Sequence, residues 1–209
     1  MSARDAILAE VRTAISGARP SAPIPREYRA ASGDDLGTFL DRLAHYEATT
    51  HVVDATELDH RVRATLHDRK IVVPQGIPDA WTTELDTLTD EPPLSNDALD
   101  ASDGVLTTCA LAIAQTGTIV LDGGPGMGRR ALTLLPDYHL CVVRTEQLVS
   151  SVPEAIRKLE PTRPLTFISG PSATVDIEMT RVRGVHGPRR LEVIVVNATQ
   201  IDSPPCAPK

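Results

Sequence analysis

The chain has 209 residues, 41% hydrophobic and 23% charged, which excludes fibrous and wholly disordered classes and suits one large globular domain with appendages. A formal charge of −7 and a pI near 5.3 exclude the global basic field that draws nucleic acid or anionic membranes. No run reaches the roughly 18 apolar residues that span a bilayer, and Arg4, Asp5 and Glu10 break up any signal-peptide core, so the expected compartment is the cytoplasm.

From Ser2, a suitable N-cap, Ile7, Leu8, Val11, Ala14 and Ile15 recur at helical spacing and predict an opening helix of about 14 residues. Gly17 ends it, and Pro20, Pro23 and Pro25 form a stiff linker that either lays the helix on another subunit or lets it pack on its own domain. Leu36, Phe39, Leu40 and Leu43 mark the next helix, and Thr49 to Val53 a strand. Leu58, Val62, Thr65 and Leu66 mark a further helix, with Thr56 and Asp59 as its capping pair. Ile71 to Val73 is a short strand, and the acidic stretch from Thr82 to Asp103 reads as a weak strand plus loop.

The run VLTTCALAIAQ after Gly104 has no clean period, so helix and buried strand stay open there. Strands follow at Gly117 to Leu121 and His139 to Val143. Ser151 and Glu154 form a capping box for a helix with Ile156 and Leu159 facing inward. Leu165 to Ser169 is a strand, Thr174 to Val182 a helix and Leu191 to Val196 a last strand. The alternation implies an α/β fold whose mainly parallel sheet carries helices on both faces. Residues 1–30 are then a helix and Pro-rich linker, 31–198 the α/β domain, and 199–209 a loose tail.

Cys109, Cys141 and Cys206 are far apart, with no C-x-x-C and no zinc or iron–sulfur spacing. No metal and no cofactor is therefore expected in this chain, and Cys109 and Cys141, in apolar runs, read as small buried hydrophobes.

Ligands of open parallel sheets bind beyond the carboxyl ends of the strands. The loops after Leu121, Val143 and Ser169 are therefore the first places to look. The first, Asp122-Gly-Gly-Pro-Gly-Met-Gly-Arg-Arg130, either cradles a phosphate or carboxylate on its backbone N–H groups, with Arg129 beside them, or is a plain tight turn. Glycines at 124, 126 and 128 miss the dinucleotide spacing G-x-G-x-x-G, and only Arg129 to Leu135 is left for a helix before Pro136. The second, Ser169-Gly-Pro-Ser-Ala-Thr-Val-Asp-Ile-Glu178, offers Ser172 or Thr174 as caps and Asp176 and Glu178 for the first turn of the predicted helix. His186 follows in the tight loop Gly184 to Arg189 and could act as a base or hold a carboxylate. A triad of Ser172, His186 and Asp176 can be drawn, but no G-x-S-x-G elbow supports it.

The segments Ala112-Ile-Ala-Gln-Thr-Gly-Thr-Ile-Val-Leu121, Gly124-Pro-Gly-Met-Gly-Arg129 and Gly170-Pro-Ser-Ala-Thr-Val-Asp-Ile-Glu178 with Gly184-Val-His-Gly-Pro188 resemble the signatures of the lactate-utilisation LUD domain family. The resemblance covers roughly residues 20 to 197. It implies a fold similar to sugar-phosphate isomerases, coenzyme A transferases and formyltetrahydrofolate cyclo-ligase. It also implies a part in oxidising L-lactate to pyruvate alongside iron–sulfur partner proteins that carry the clusters. Two positions depart from the family pattern: Gln115 stands where an acidic residue is usual, and Asp122-Gly123 where Ser-Gly is frequent.

The candidate ligand-binding set is Thr116, Gly117, Thr118, Gly124, Gly126, Gly128, Arg129, Ser172, Thr174 and His186, converging on one small anion. Candidates for acid–base work are His186, Asp176 and Glu178, and no catalytic set follows from the resemblance. The alternative is a stand-alone enzyme of the same fold acting on a coenzyme A ester, a folate or a sugar phosphate. Such a transferase needs a glutamate nucleophile at a strand end, and Gln115 at one such position counts against it.

Overall fold

The structure is a computed structural model, described here for residues 2–17, 35–174, 182–183 and 187–197. In chain order the elements are α1 (Ala3–Ile15), α2 (Asp35–His45), β1 (Thr49–Asp54), α3 (Leu58–Leu66), β2 (Ile71–Val73), α4 (Asp79–Thr82), β3 (Thr87–Thr89), α5 (Asn96–Asp100) and β4 (Gly104–Thr107). Then come β5 (Leu111–Ile113), β6 (Thr118–Leu121), β7 (Tyr138–Arg144), β8 (Leu148–Val149), α6 (Val152–Lys158), β9 (Thr166–Ile168), β10 (Ala173–Thr174), β11 (Val182–Arg183) and β12 (Arg190–Asn197).

Six strands form a wholly parallel sheet in the order β1-β12-β7-β4-β2-β3. Its central strands are continuous apolar runs, as burial on both faces requires. On one face Leu140, Val142, Ile194 and Val196 pack against α3 and α4 through Val62, Leu66 and Trp81. On the other, Cys141, Val143, Val193 and Val195 meet Phe39 and Leu43 of α2 and Ala112 and Ile119 of a second sheet. That sheet has the order β8-β5-β6-β9, antiparallel except for β5 with β8, and α6 covers its outer side through Ala155. The expected mainly parallel α/β architecture is what forms, with this smaller sheet added.

Several local expectations are corrected. The run after Gly104 becomes two strands, β4 and β5, in different sheets. Strands β6 and β9 belong to the antiparallel sheet rather than to the parallel one, because their edge pairing is set by long-range partners that periodicity does not record. The helix from Thr174 to Val182 does not start or end as expected: Ala173–Thr174 pairs antiparallel with Val182–Arg183. Both paired ends carry a β-branched residue, Thr174 and Val182, which favours extended backbone. Thr56 does not cap α3, which begins after Glu57 without a side-chain cap. Ser151 makes no cap bond either, and Glu154 Oε2 instead accepts the Ser150 N–H at 3.1 Å. Ile156 points outward at 56% exposure, and Ala155 takes the inward position. The Thr82–Asp103 stretch holds the expected strand as β3, together with α5.

The opening helix is capped as predicted. Ser2 Oγ accepts the Asp5 N–H, and the Asp5 carboxylate accepts the Ser2 N–H in return. None of its residues is buried, and Ile7, Val11 and Ile15 stand in solvent.

At the amino edge of the parallel sheet the Tyr138 hydroxyl donates to Glu192 Oε2 at 2.8 Å, and His51 Nε2 lies 2.6 Å from Glu192 Oε1. Burial, then the charge of Glu192, raises the Tyr138 pKa and keeps the phenol neutral. A Cβ at Gly104 would stand 2.7 Å from the Tyr138 carbonyl oxygen.

Candidate functional site

The glycine-rich loop follows β6 of the second sheet and lies over the carboxyl ends of β2 and β4 of the parallel one. Gly126 N–H donates to Gln75 O at 2.7 Å just past β2, and Thr108 N–H, just past β4, donates to Gly126 O at 2.8 Å. Gly76 (φ +96°) and Gly126 (φ +75°) meet here so closely that a Cβ on Gly76 would be 2.8 Å from Gly126 N. Left-handed backbone and absent side chains are both needed for this crossing. Asp122 opens the loop, its Oδ1 accepting Gly124 N–H at 3.0 Å and its Oδ2 pairing with Arg163 Nη1 at 2.8 Å. The departure Asp122-Gly123 is thus a loop clamp, a role for which the sequence carried no signal.

Arg129, the expected anion ligand, is already engaged. Its Nε and Nη2 grip Asp90 at 2.8 and 3.0 Å, and Nη2 also donates to Leu94 O at 2.7 Å. Burial tends to raise the Asp90 pKa, but the Arg129 bonds, the Leu94 N–H and the Arg129 charge outweigh it and hold the carboxyl below its ordinary value. A carboxyl with a depressed folded pKa stabilises fully above its unfolded value and loses that contribution as pH falls through the folded one. Arg129→Ala is therefore expected to cost about 1 kcal/mol near neutral pH, held down by water reaching the guanidinium. In urea titrations, the difference from wild type should close as pH falls below the ordinary aspartate range and through the lower folded pKa of Asp90. A pH-independent difference would rule out this pairing as its cause.

Arg130 is free where Arg129 is not. Its Nη1 touches the Thr133 hydroxyl at 3.3 Å, and among the described residues it has no carboxylate partner. Arg130 and Thr133 form the wall between two cavities. The larger, of about 820 Å³, is lined by the glycine loop, Gln75, Gly76 and Arg163. The smaller, of about 160 Å³, is lined by His139, Phe167 to Ser172, Gly187, Pro188 and Leu191. Its floor, His139, is 1% exposed, with Nε2 at 2.7 Å from Thr107 Oγ1.

The predicted residues therefore separate into groups. Gly124 and Gly128 line the large cavity, with Gly126 beneath its rim. Ser172 lines the small one, its N–H donating to Pro188 O at 2.8 Å, and Gly187 packs beside it against Thr133 O. Among the described residues, the glycine-rich loop and the loop after β9 come together through Arg130 and Thr133, which border both cavities. Thr116, Gly117 and Thr118 lie in the β5–β6 turn against α2, where a Cβ on Gly117 would strike Arg42 Cβ at 2.6 Å. They reach the small cavity indirectly, through hydroxyl contacts of 2.7 Å from Thr116 to Thr118 and from Thr118 to its lining residue Ser169. Gln115 is exposed on that turn and lines neither cavity. Thr174 ends β10, and Asp176, Glu178 and His186 lie outside the described residues. Thr133, His139 and Arg163 were not anticipated, whereas Arg130 belongs to the basic pair Arg129-Arg130, which reads in the sequence as a candidate anion contact.

Cys109 and Cys141 are buried and unbridged, and donation to Cys141, together with burial, pushes the Cys109 thiol up. Among the described residues no group of three or more His, Cys, Asp or Glu side chains could hold a metal ion, and no helix is long and apolar enough to cross a membrane.

The LUD domain profile matches residues 28–196. The chain belongs to the LUD domain family. Among LUD relatives, "Lactate utilization protein C" of Deinococcus radiodurans is 48% identical over 91% of this chain and 93% of its own length. A protein of the same name from Halalkalibacterium halodurans is 38% identical over 44% of this chain and 43% of its own. A crystal structure of a DUF162 family protein from Deinococcus radiodurans superposes with a TM-score of 0.68 at 46% identity, covering 78% of this chain and 96% of that one.

Proposed function

We propose that this LUD protein is a cytoplasmic component of a system that oxidises L-lactate to pyruvate, working with iron–sulfur partner proteins and binding the small carboxylate in the cavity between Arg130 and His139. The likeness to lactate utilization protein C supports the pathway. One observation carries the site: an arginine without a carboxylate partner among the described residues faces a cavity of about 160 Å³, on the scale of a three-carbon acid at roughly 100 Å³, a few times water's share of about 30 Å³. The guanidinium holds the carboxylate, Thr133 and Ser172 offer hydroxyls, and His139 faces the remaining polar end. Clusters belong to the partners, and this chain supplies binding and orientation.

Isothermal titration with L-lactate and pyruvate tests the site. Arg130→Ala is expected to weaken binding by about 1.5–3 kcal/mol, more than tenfold, as loss of a charge-assisted hydrogen bond does. Its melting temperature should stay near wild type, since the side chain is exposed. No binding by wild type, or equal binding by the variant, sinks the site. For the pathway, deletion of the gene should impair growth on L-lactate more than on pyruvate, and equal growth without another lactate dehydrogenase would refute it.

A further inference from the structure

The large cavity is about five times the size of the one assigned to the small acid, so lactate would leave most of it empty. It also does not end at the glycine loop. Gln75, Gly76 and Gly128 are shared with a third cavity of about 570 Å³ over the ends of β2 and β3, so the two form one elongated cleft with a glycine waist. At the waist, a Cβ on Gly128 would stand 2.9 Å from Pro74 Cβ, and at the near end one on Gly124 would stand 2.9 Å from Arg163 Nη2. Any side chain at either place would narrow the cleft or push the arginine aside.

The two ends differ in chemistry. At the near end are the Arg130 and Arg163 guanidinium groups, the latter giving one nitrogen to Asp122. At the far end, Thr82, Thr87, Thr89, Asp79 and Glu91 present hydroxyls and carboxylates, with Ile77 as apolar floor. Guanidinium groups select phosphate oxygens. Carboxylates and hydroxyls at a distance from them accept from sugar hydroxyls and exocyclic amines, and repel a second anion. We infer that this cleft is a separate binding site for a nucleoside diphosphate, with phosphates against Arg163 and the glycine loop at the near end, Arg130 being left to the small acid, and the nucleoside laid across Gly76 and Gly128 towards Glu91. Cavities of roughly 300–1,000 Å³ hold ligands of that size. The dinucleotide fingerprint is not required, because the phosphates lie against the Arg163 side chain and a loop rather than on the N-terminus of a crossover helix.

The test is calorimetric titration of the full chain with ADP, adenosine, inorganic phosphate and L-lactate. Wild type is expected to bind ADP at least tenfold more tightly than either adenosine or phosphate. Saturating lactate should not displace it. Arg163→Ala should weaken ADP at least tenfold, and Glu91→Gln, at the opposite end and without a loop contact to lose, about threefold with an unchanged melting curve. Absence of ADP binding, phosphate binding as tight as ADP, displacement by lactate, or ADP affinity unchanged in both variants would each overturn the proposal. Lactate binding fails or survives independently, since neither Arg163 nor Glu91 lines the small cavity.

Discussion

Gly76→Ala should lower stability by about 3 kcal/mol, combining left-handed backbone strain with overlap of packed atoms. In a chain of this size that is roughly 6–12 °C in melting temperature. The new methyl group would lie 2.8 Å from both Gly126 N and Pro125 Cβ, and neither is the free end of a flexible side chain that could turn away. Relief requires the two loops to part, which breaks the 2.7 Å bond from Gly126 N–H to Gln75 O. The cleft bordered by Gln75 and Gly76 should then lose its affinity for ADP along with the stability. Gly17→Ala is the control, since nothing lies within 4 Å of a Cβ there. Differential scanning calorimetry of the two variants decides the matter, and a Gly76→Ala melt within 2 °C of wild type would contradict the tight crossing.

Leu140→Ala should cost about 3–4 kcal/mol, the loss of buried surface plus the cavity left behind. Leu140 is fully buried in β7, in register between Leu106 of β4 and Glu192 of β12, in the cluster that includes Leu66 and Trp81. Strands on both sides prevent collapse into the gap, which places the cost high in the usual range. Leu140→Met, nearly volume-conserving, should cost less than about 1.5 kcal/mol. Because Leu140 faces α3 and the adjacent His139 faces the small cavity, the folded fraction of Leu140→Ala should bind L-lactate as wild type does. Urea denaturation measures the first expectation and calorimetry the second. Equal stability of the alanine and methionine variants would refute the packing claim.

The parallel sheet was legible because its strands are short apolar runs between helical periods, as at Ile71 to Val73 and Leu191 to Val196. The second sheet was not, since Thr118 to Leu121 reads the same whether its neighbour is parallel or antiparallel. The failure of the Ser151 cap is a matter of one residue's register: Glu154 reached back to Ser150. At the site, the glycine loop was found by composition, but the choice between Arg129 and Arg130 turned on Asp90, 39 residues earlier. No local pattern reports such a partner. His139 stayed hidden because, inside an apolar run, it looks like a strand residue; only the cavity beside it distinguishes it.

The position of β12 also bears on how the chain is made. Strand β1, complete by residue 54, pairs only with β12, whose residues 190–197 come last among the described strands. β12 sits between β1 and β7, so the chain must be made through residue 197 before the sheet can close. Until then β7 presents a bare apolar edge, and β1 waits for a partner some 140 positions away in sequence. Such long-range closure slows folding and exposes sticky strands to neighbours, which makes nascent chains halted before Arg190 natural clients for chaperones.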